Sequence, residues 1–350
     1  MLFYWILYLS VAYIALNKAS RPIRLSQGTW IWLWIIFTVL IGLRHHVGGD
    51  WNNYLWRFQQ LPYMSFEEAM QSGDIGYMWL TYTINDMGWG GIYLVNFICA
   101  AIFFSGLFAL LRRQPNPWVG LAVAIPYLII VVSMGYVRQG VALGFVMWGL
   151  ASLDKKRFKT FVFFIVLAIT FHKSAILMIA FGIFQQGKGK FFRFLALLLA
   201  GIGVWSAFVE QASADLWTNY VEAQMQSGGA MIRAVLNFIP AMLLLLFRKE
   251  WRRQFNDYGL WVMIALASVI AMGLVPFAST AVDRMSLYFI PIQIVVWSRL
   301  PLLARRKIAP SLSTFLIIFL YFMVLFVWLN FGVFSNWWIP YRNILWMDIL

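Results

Sequence analysis

Isolated arginine, histidine and aspartate residues in this chain stand beside glycine-containing turns, between long apolar runs. The most distinctive group runs from Arg44 to Asp50 and contains two histidines followed by Val47-Gly48-Gly49. Glycines allow the backbone to turn sharply and to approach a ligand closely. The carboxylate of Asp50 would either cap a following helix or accept a proton in a reaction. Helix capping accounts for Asp50 but leaves Arg44 unexplained.

The second group is Arg138-Gln139-Gly140, which is predicted to open a helix. A guanidinium presents a planar fork of donors that matches phosphate oxygens, and a helix N-terminus adds backbone N–H donors. The alternative is an arginine whose side chain extends to lipid headgroups. Gly135 and Gly140 leave room around the guanidinium, so ligand binding is the favoured interpretation.

Two smaller groups complete the set of candidates. His172-Lys173 stands at the tip of a short predicted helix pair, below the membrane surface, where polar groups are costly unless used or paired. Asp283-Arg284 is predicted to begin a helix. The alternatives are a packed, hydrogen-bonded histidine in the first group and helix capping by the two charges in the second.

Single cations from separate helices that meet on one membrane face would bind a ligand with two phosphates, such as a lipid-linked pyrophosphate. Aromatic residues predicted on that face could stack on sugar rings, although the aromatic belt of membrane proteins accounts for most of them. The sequence lacks the motifs of P-loop ATPases and zinc proteases, and it has no DxD-type acid pair in a predicted outer loop. ATP-driven transport and zinc proteolysis therefore gain no support.

The elements that must position these groups are apolar runs. Of the 350 residues, 62% are hydrophobic and 11% are charged, whereas soluble domains are about half apolar and a quarter charged. The bilayer must therefore solvate most of the chain. The single cysteine, Cys99, excludes a disulfide framework and a thiolate metal site. The apolar N-terminus has no basic segment, so residues 2–16 are predicted to span the membrane rather than to form a signal peptide.

Twelve such runs predict an all-α, polytopic membrane protein. A spanning helix needs roughly 20 mostly apolar residues, so the shorter runs imply helix tilt or local membrane thinning. The predicted spans are 2–16, 29–43, 92–111, 117–135, 138–153, 158–171, 174–186, 192–209, 231–247, 258–275, 284–298 and 312–329.

Charge separates the two sides of the predicted bundle. Twenty of the 27 basic residues fall in alternate loops, which the positive-inside rule places in the cytoplasm, so the net charge of +14 reflects topology and not nucleic-acid binding. Both termini are then outside, as are two long loops, 44–91 and 210–230, which are predicted to hold interfacial or re-entrant helices. All of this forms one predicted transmembrane domain, 1–350. The seven outer basic residues are Arg44, Arg57, Arg138, Lys173, Arg233, Arg284 and Arg342.

The groups resemble the EpsG-type family of exopolysaccharide and O-antigen polymerases, the Wzy group in the broad sense. The most specific match is Arg44 with Val47-Gly48-Gly49-Asp50 and Tyr54, and weaker landmarks follow in the family's order along nearly the whole chain. The weaker landmarks are Arg138-Gln139, His172-Lys173-Ser174, Asp283-Arg284 and, loosely, Pro340-Tyr341. The sequence departs from the family at His45, in an otherwise aromatic-rich turn, and at Gly49, where the family often has threonine or serine.

This resemblance implies a glycosyltransferase with GT-C-like architecture in the bacterial cytoplasmic (inner) membrane, its active site facing the periplasm or cell exterior. The substrate would be an oligosaccharide linked to polyprenyl pyrophosphate, such as undecaprenyl pyrophosphate. The enzyme would transfer this glycan onto another lipid-linked repeat unit, building O-antigen, capsule or exopolysaccharide. The lipid bilayer is the expected environment, and a chain-length regulator is a further candidate partner.

The expected reaction is inverting glycosyl transfer with polyprenyl pyrophosphate as the leaving group. Asp50 is the first choice for the base that activates the acceptor hydroxyl, and His172 is the second. Fixed cations can neutralise the leaving group, so no metal or other cofactor is required. The expected pyrophosphate ligands are Arg44, Arg138, Lys173 and Arg284. The residues expected to bind the glycan are Tyr54, Gln139 and Tyr341.

Three other functions share parts of this pattern. A flippase or transporter of the lipid-linked repeat unit would share the cations, but predicts a cavity with polar residues on the cytoplasmic side. A GT-C enzyme that transfers one sugar from a lipid monophosphate usually has paired acids in its first outer loop, where only Asp50 appears. An O-antigen ligase usually has a histidine near arginines in a long outer loop, and 210–229 contains neither residue type.

Overall fold

The computed structural model describes residues 1–19, 22–88, 90–154, 157–185, 189, 230–277 and 279–347. Across these ranges the chain is helical and forms no β-strand, although Arg44 and Asn343 make an isolated antiparallel bridge. The predicted span 192–209 lies outside the described residues, and so does the predicted loop 210–230 except for Ala230.

Eight helices precede the short helical pair that carries His172. They are α1 (Leu2–Asn17), α2 (Gln27–Gly42), α3 (Trp51–Gln60), α4 (Phe66–Gln71), α5 (Ile75–Asp86), α6 (Gly91–Leu111), α7 (Pro117–Ala124) and α8 (Val137–Asp154). A π-helical segment, Ile125–Ser133, continues α7, and a 3-10 turn, Leu61–Tyr63, follows α3.

The rest of the described chain holds eight more helices. They are α9 (Phe158–Phe171), α10 (Leu177–Gln185), α11 (Ala230–Leu246), α12 (Arg248–Gln254), α13 (Tyr258–Leu274), α14 (Ser279–Ser286), α15 (Pro291–Leu303) and α16 (Pro310–Phe331). Helices thus lie at eleven of the twelve predicted spans. The predicted break between 158–171 and 174–186 is confirmed, because α9 ends at Phe171 and a 3-10 turn begins at Lys173.

Two of the described helices, α6 and α16, are long and apolar enough to cross a membrane alone. Two bent pairs meet the same criteria when each pair is taken together, with a bend of 77° between α11 and α12 and of 40° between Val282–Phe289 and α15. The remaining apolar helices of the described chain are shorter, because several are interrupted near polar residues.

The prediction of one span from 284 to 298 is wrong in its helix boundary. Asp283 and Arg284 lie in the second half of α14, and the 3-10 turn Leu287–Phe289 then leads into α15. Pro291 occupies the first turn of α15, where its missing N–H costs no hydrogen bond and its ring favours a new helix start. The break places Arg284 beside an opening in the bundle.

The segment 44–91, which is predicted to lie outside, folds into three helices, α3 to α5. Ser65 and Glu68 form a capping box at the start of α4, since the Ser65 Oγ accepts from the Glu68 N–H and the Glu68 carboxylate accepts from the Ser65 N–H. Asp74 directly precedes α5. These short helices lie on the side of the bundle where α2 ends and α8 begins.

Close packing of α6 against α8 holds the helix that carries Arg138. A Cβ added to Gly106 would lie 1.8 Å from the carbonyl oxygen of Gly144, so both positions need glycine for the two backbones to approach this closely. Small residues at such crossings are characteristic of helices that pack in membranes. The crossing anchors the middle of α8 and so sets the position of its N-terminal end.

Candidate active site

A cavity of about 250 Å³ lies where the starts of α3 and α8 approach the ends of α9 and α14. Its lining comes from four separate stretches of sequence, so only the fold assembles it. The lining residues are Asp50, Tyr54, Tyr136, Arg138, Gln139, His172, Asp283, Arg284 and Leu287. Six of these nine residues were predicted from the sequence as site residues.

Asp50 stands at the N-cap position of α3, but its carboxylate accepts no capping hydrogen bond from the helix. Capping therefore does not account for this residue, and the side chain instead lines the cavity. Burial raises the pKa of the Asp50 carboxyl, and the charges of Arg138, Arg284 and Arg57 oppose that rise. A carboxylate with a raised pKa is a stronger base while it remains ionised near neutral pH.

Arg138 enters the cavity from the first turn of α8 and forms an ion pair with Asp74. Its Nη1 lies 2.8 Å from the Asp74 Oδ2, while a third of the arginine side chain stays exposed. Asp74 precedes α5, so this pair ties α5 to α8. Arg138 also hydrogen-bonds the Tyr54 hydroxyl, so an acid and a tyrosine hold the guanidinium in place at the cavity. The planar fork of a guanidinium suits an anion.

His172 lies in the connection between α9 and the following 3-10 turn, with extended backbone. Its Nδ1 is 2.5 Å from the Ser174 Oγ, which in turn lies 3.1 Å from the Tyr288 hydroxyl. Burial and the nearby charges of Arg138 and Arg284 lower the pKa of His172 to about 4. The imidazole is therefore neutral at pH 7. If Nδ1 donates to Ser174, the Nε2 lone pair accepts a proton.

Arg284 and Gln139 are joined across the cavity. The Gln139 Nε2 donates to the backbone carbonyl of Arg284 at 2.9 Å, which connects the start of α8 to α14. The neighbouring Asp283 accepts two bonds from Arg233, at 2.5 and 2.6 Å. Asp283 is thereby held in an ion pair with Arg233, and this pair links α14 to α11.

Arg44 does not line the cavity. Its guanidinium is buried and donates to the carbonyls of Val47, Ile41 and Met134 at 2.8 to 3.0 Å. These bonds hold the glycine turn before Asp50 against the segment before α8. Arg44 was predicted to contact pyrophosphate, and its guanidinium bonds reach backbone carbonyls that fix the turn before Asp50.

Tyr341 also lies away from the cavity lining. Its hydroxyl donates to the Leu40 carbonyl, and its ring stacks on Phe3 with centroids 3.5 Å apart. These contacts pack the C-terminal segment against α1 and α2, and the glycan contact of Tyr341 stays a prediction. The same segment pairs with the Arg44 turn, because the His45 N–H donates to the Arg342 carbonyl and the Ile344 N–H donates to the Leu43 carbonyl.

Lys173 is exposed next to His172 and is not part of the cavity lining. Its charge and its backbone N–H act on Asp74, the partner of Arg138. Lys173 therefore stands behind the Arg138–Asp74 pair, at the rim of the site. Among the predicted pyrophosphate ligands, Arg138 and Arg284 are the two that line the cavity.

Four residues that shape the site were not predicted as site residues: Asp74, Tyr136, Arg233 and Tyr288. Asp74 gave a usable signal, because an acid that follows Gly73 and directly precedes an apolar run indicates a basic partner elsewhere in the chain. Tyr288 gave no signal, since an aromatic residue in an apolar run is ordinary core. Arg233 was noted as an outer cation, but its pairing with Asp283 depends on the contact between α11 and α14.

Comparison with known proteins identifies the family. No curated protein and no solved structure matches this chain. The EpsG family model matches residues 29–343, a range that includes every residue predicted for the site. The extent of this match and the apolar helices of the described chain lead to one conclusion: the chain is a membrane protein of polysaccharide biosynthesis and belongs to the EpsG family.

Proposed function

We propose that this protein polymerises oligosaccharide repeat units carried on polyprenyl pyrophosphate, on the outer face of the bacterial cytoplasmic membrane. The observation that carries the proposal is the cavity itself, where Asp50, His172, Arg138 and Arg284 meet from separate segments. Two cations suit a pyrophosphate, and two candidate bases suit an acceptor hydroxyl. Family membership supports the same substrate class.

In the proposed step, the acceptor hydroxyl oxygen attacks the anomeric carbon of the donor glycan. The bond from that carbon to the pyrophosphate oxygen breaks, and the anomeric configuration inverts. The proton of the hydroxyl passes to the Asp50 carboxylate, and the electron pair leaves on polyprenyl pyrophosphate. Arg138 and Arg284 stabilise the charge that develops on this leaving group, which is often the largest contribution to catalysis.

Asp50 remains the first choice for the base and His172 the second. Asp50 makes no capping bond and has a raised pKa, so it combines availability with basicity. His172 is neutral and able to accept a proton, but its pKa of about 4 makes it the weaker base near neutral pH. In the proposal, His172 and Gln139 position the acceptor sugar, and Tyr54 packs beside it.

Reconstitution of the reaction tests the proposal. Purified protein in detergent is incubated with its lipid-linked repeat unit, and the products are separated by size. A ladder of polymers without added nucleotide or divalent metal is the expected result. Transfer of a single unit to one acceptor would instead identify a single-sugar transferase. The absence of a ladder, while the same protein moves the lipid-linked unit across the bilayer of liposomes, would identify a flippase.

A further inference from the structure

A second, larger cavity of about 600 Å³ lies at the opposite end of the bundle from the active-site cavity. Helix α8 connects the two, because Arg138 near its start lines one and Ser152 near its end lines the other. With a rise of 1.5 Å per residue, these positions are about 21 Å apart. The larger cavity is a groove between α2, α6, α8 and α9, and it lies apart from the candidate active site.

Positive charge is concentrated in this groove. Arg112 and Arg113 follow the end of α6, and Arg157 precedes α9. No aspartate or glutamate occurs among the described residues that line the groove. Arginines gathered at one end of an apolar groove make an attractive site for a phosphate group. All three belong to loops that the charge pattern places in the cytoplasm.

Five aromatic side chains, Trp30, Trp34, Phe108, Trp148 and Phe164, contribute to the rest of the lining. Trp34 Nε1 donates to the Ser105 Oγ at 2.9 Å, and Arg112 lies over the ring of Trp30 at 5.2 Å. Trp148 stacks on Phe164 with ring centroids 4.8 Å apart. The groove therefore offers fixed apolar walls that lead to a cationic end. Such a combination fits an amphiphile with an anionic head and a hydrocarbon tail.

We propose that this groove binds an anionic phospholipid from the cytoplasmic leaflet. The phosphate lies among Arg112, Arg113 and Arg157, and an acyl chain lies along Trp30, Trp34 and Trp148. Basic pockets between membrane helices on the cytoplasmic side are suited to such headgroups. The polyprenyl carrier is the less suitable occupant, because its pyrophosphate is used at the far end of α8. The choice of leaflet rests on the topology within the proposed function.

Lipid binding to matched variants tests the charge component. Purified protein is titrated with phosphatidylglycerol in detergent, and bound lipid is measured by native mass spectrometry. The double variant Arg112→Gln/Arg157→Gln should bind about 25-fold more weakly, at about fivefold per arginine. The control Arg248→Gln/Lys249→Gln removes two charges from α12, outside the groove, and should bind like wild type. Equal affinity of wild type and the double variant would overturn the proposal.

The choice of lipid is tested by competition. Phosphatidylglycerol should displace a labelled phosphatidylglycerol probe, and phosphatidylcholine should not. Equal displacement by phosphatidylcholine would show that the arginines do not select an anionic headgroup. If polyprenyl phosphate displaced the probe more strongly than phosphatidylglycerol does, the groove would be a binding site for the carrier lipid, and the proposal would be overturned. Binding is measured without turnover, so loss of polymerase activity and loss of lipid binding are separate results.

Photocrosslinking locates the lipid without removing any arginine. A benzophenone-bearing residue is placed at Ile31, which lines the groove, or at Ile36, which is exposed on another face of α2. Illumination with phosphatidylglycerol present should give adducts at position 31 in large excess over position 36. Comparable adducts at both positions would mean that the protein has only ordinary lipid contacts there.

Discussion

At the residue scale, the candidate site consists of charged side chains, and ion pairs hold some of them in place. Arg138 is paired with Asp74, Asp283 is paired with Arg233, and Asp50 makes no capping bond. Pairing fixes the position of the first two side chains, and their geometry is therefore set before substrate arrives. Preorganised charges stabilise a developing anion without reorganisation at the moment of reaction.

Asp50→Asn should abolish polymerisation, because the amide keeps the size of the side chain but cannot accept the proton from the acceptor hydroxyl. The measurement is polymer length made by the variant in cells, with protein in the membrane fraction quantified in parallel. Long chains made at wild-type abundance would remove Asp50 from the role of base and leave His172 as the candidate.

Arg57→Gln should move the acid limb of the pH–rate profile to higher pH. Arg57 lowers the pKa of Asp50, so its removal raises that pKa further. A base must be deprotonated to act, and a higher pKa means that activity is lost at a higher pH as the solution is acidified. The profile is measured in vitro with Arg248→Gln as a control for lost charge. An unmoved acid limb argues against Asp50 as the titrating base.

Arg138→Ala should lower polymerisation on the order of 100- to 1000-fold, the effect typical of losing one group that stabilises developing charge. Arg138→Lys should recover little of this, because an ammonium keeps the charge but loses the planar fork. The exposed Arg342 offers a matched control, since Arg342→Ala removes an outer guanidinium that does not line the cavity. Initial rates with purified protein give the comparison. Equal rates for Arg138→Ala and Arg342→Ala would exclude a role in leaving-group stabilisation.

At the scale of elements, the turn between α2 and α3 is the part of the fold that presents Asp50. Arg44 donates to carbonyls on both sides of the turn, and the C-terminal segment pairs with it through Arg342 and Ile344. Gly48 has φ of +114° and lies against the Met134 carbonyl. The site is therefore built on a braced turn rather than on a helix face.

Gly48→Ala should destabilise the protein and reduce activity together. A Cβ there would lie 2.4 Å from the Met134 oxygen, and the positive φ alone costs an alanine about 1–2 kcal/mol. Gly49→Ala is the matched control, because its Cβ would meet only the Trp338 ring at 3.7 Å. Thermal unfolding in detergent should show a lower Tm for Gly48→Ala than for Gly49→Ala. The reverse order would mean that the turn is not braced as described.

At the scale of the whole molecule, the two cavities lie at opposite ends of α8 and differ in chemistry. One combines acids, bases and cations, and the other combines arginines with aromatic walls. A membrane between them would expose each to a different compartment. The proposed topology places the first outside and the second at the cytoplasmic leaflet.

Cysteine labelling tests this orientation. The single cysteine, Cys99, is buried, and Cys99→Ser supplies a background without thiols. In that background, Glu67→Cys should react with a membrane-impermeant maleimide in intact spheroplasts, and Lys249→Cys should react only after the membrane is permeabilised. If Lys249→Cys reacted in intact spheroplasts and Glu67→Cys reacted only after permeabilisation, the topology would be the reverse of the proposed one. The active-site cavity would then face the cytoplasm.

Most helices were predictable because the bilayer imposes a simple requirement. Backbone polar groups within the membrane must be satisfied inside the segment, so apolar runs become helices whatever they pack against. The runs at 158–171 and 258–275 accordingly lie on α9 and α13. The error at 284–298 arose because a proline-linked break between α14 and α15 leaves the surrounding hydropathy almost unchanged.

The sequence by itself determined the family and most of the helix positions, and it predicted the set of outer cations, because these follow from hydropathy, charge and local motifs. Only the tertiary structure decided which cations reach one cavity. Arg138 meets Asp74 across 64 residues of sequence, and Gln139 meets the Arg284 carbonyl across 145. Arg44 carries the most specific family motif, yet it is buried in its own turn. Local sequence states a side chain's chemistry, but packing between distant helices determines whether that side chain faces a ligand or the protein backbone.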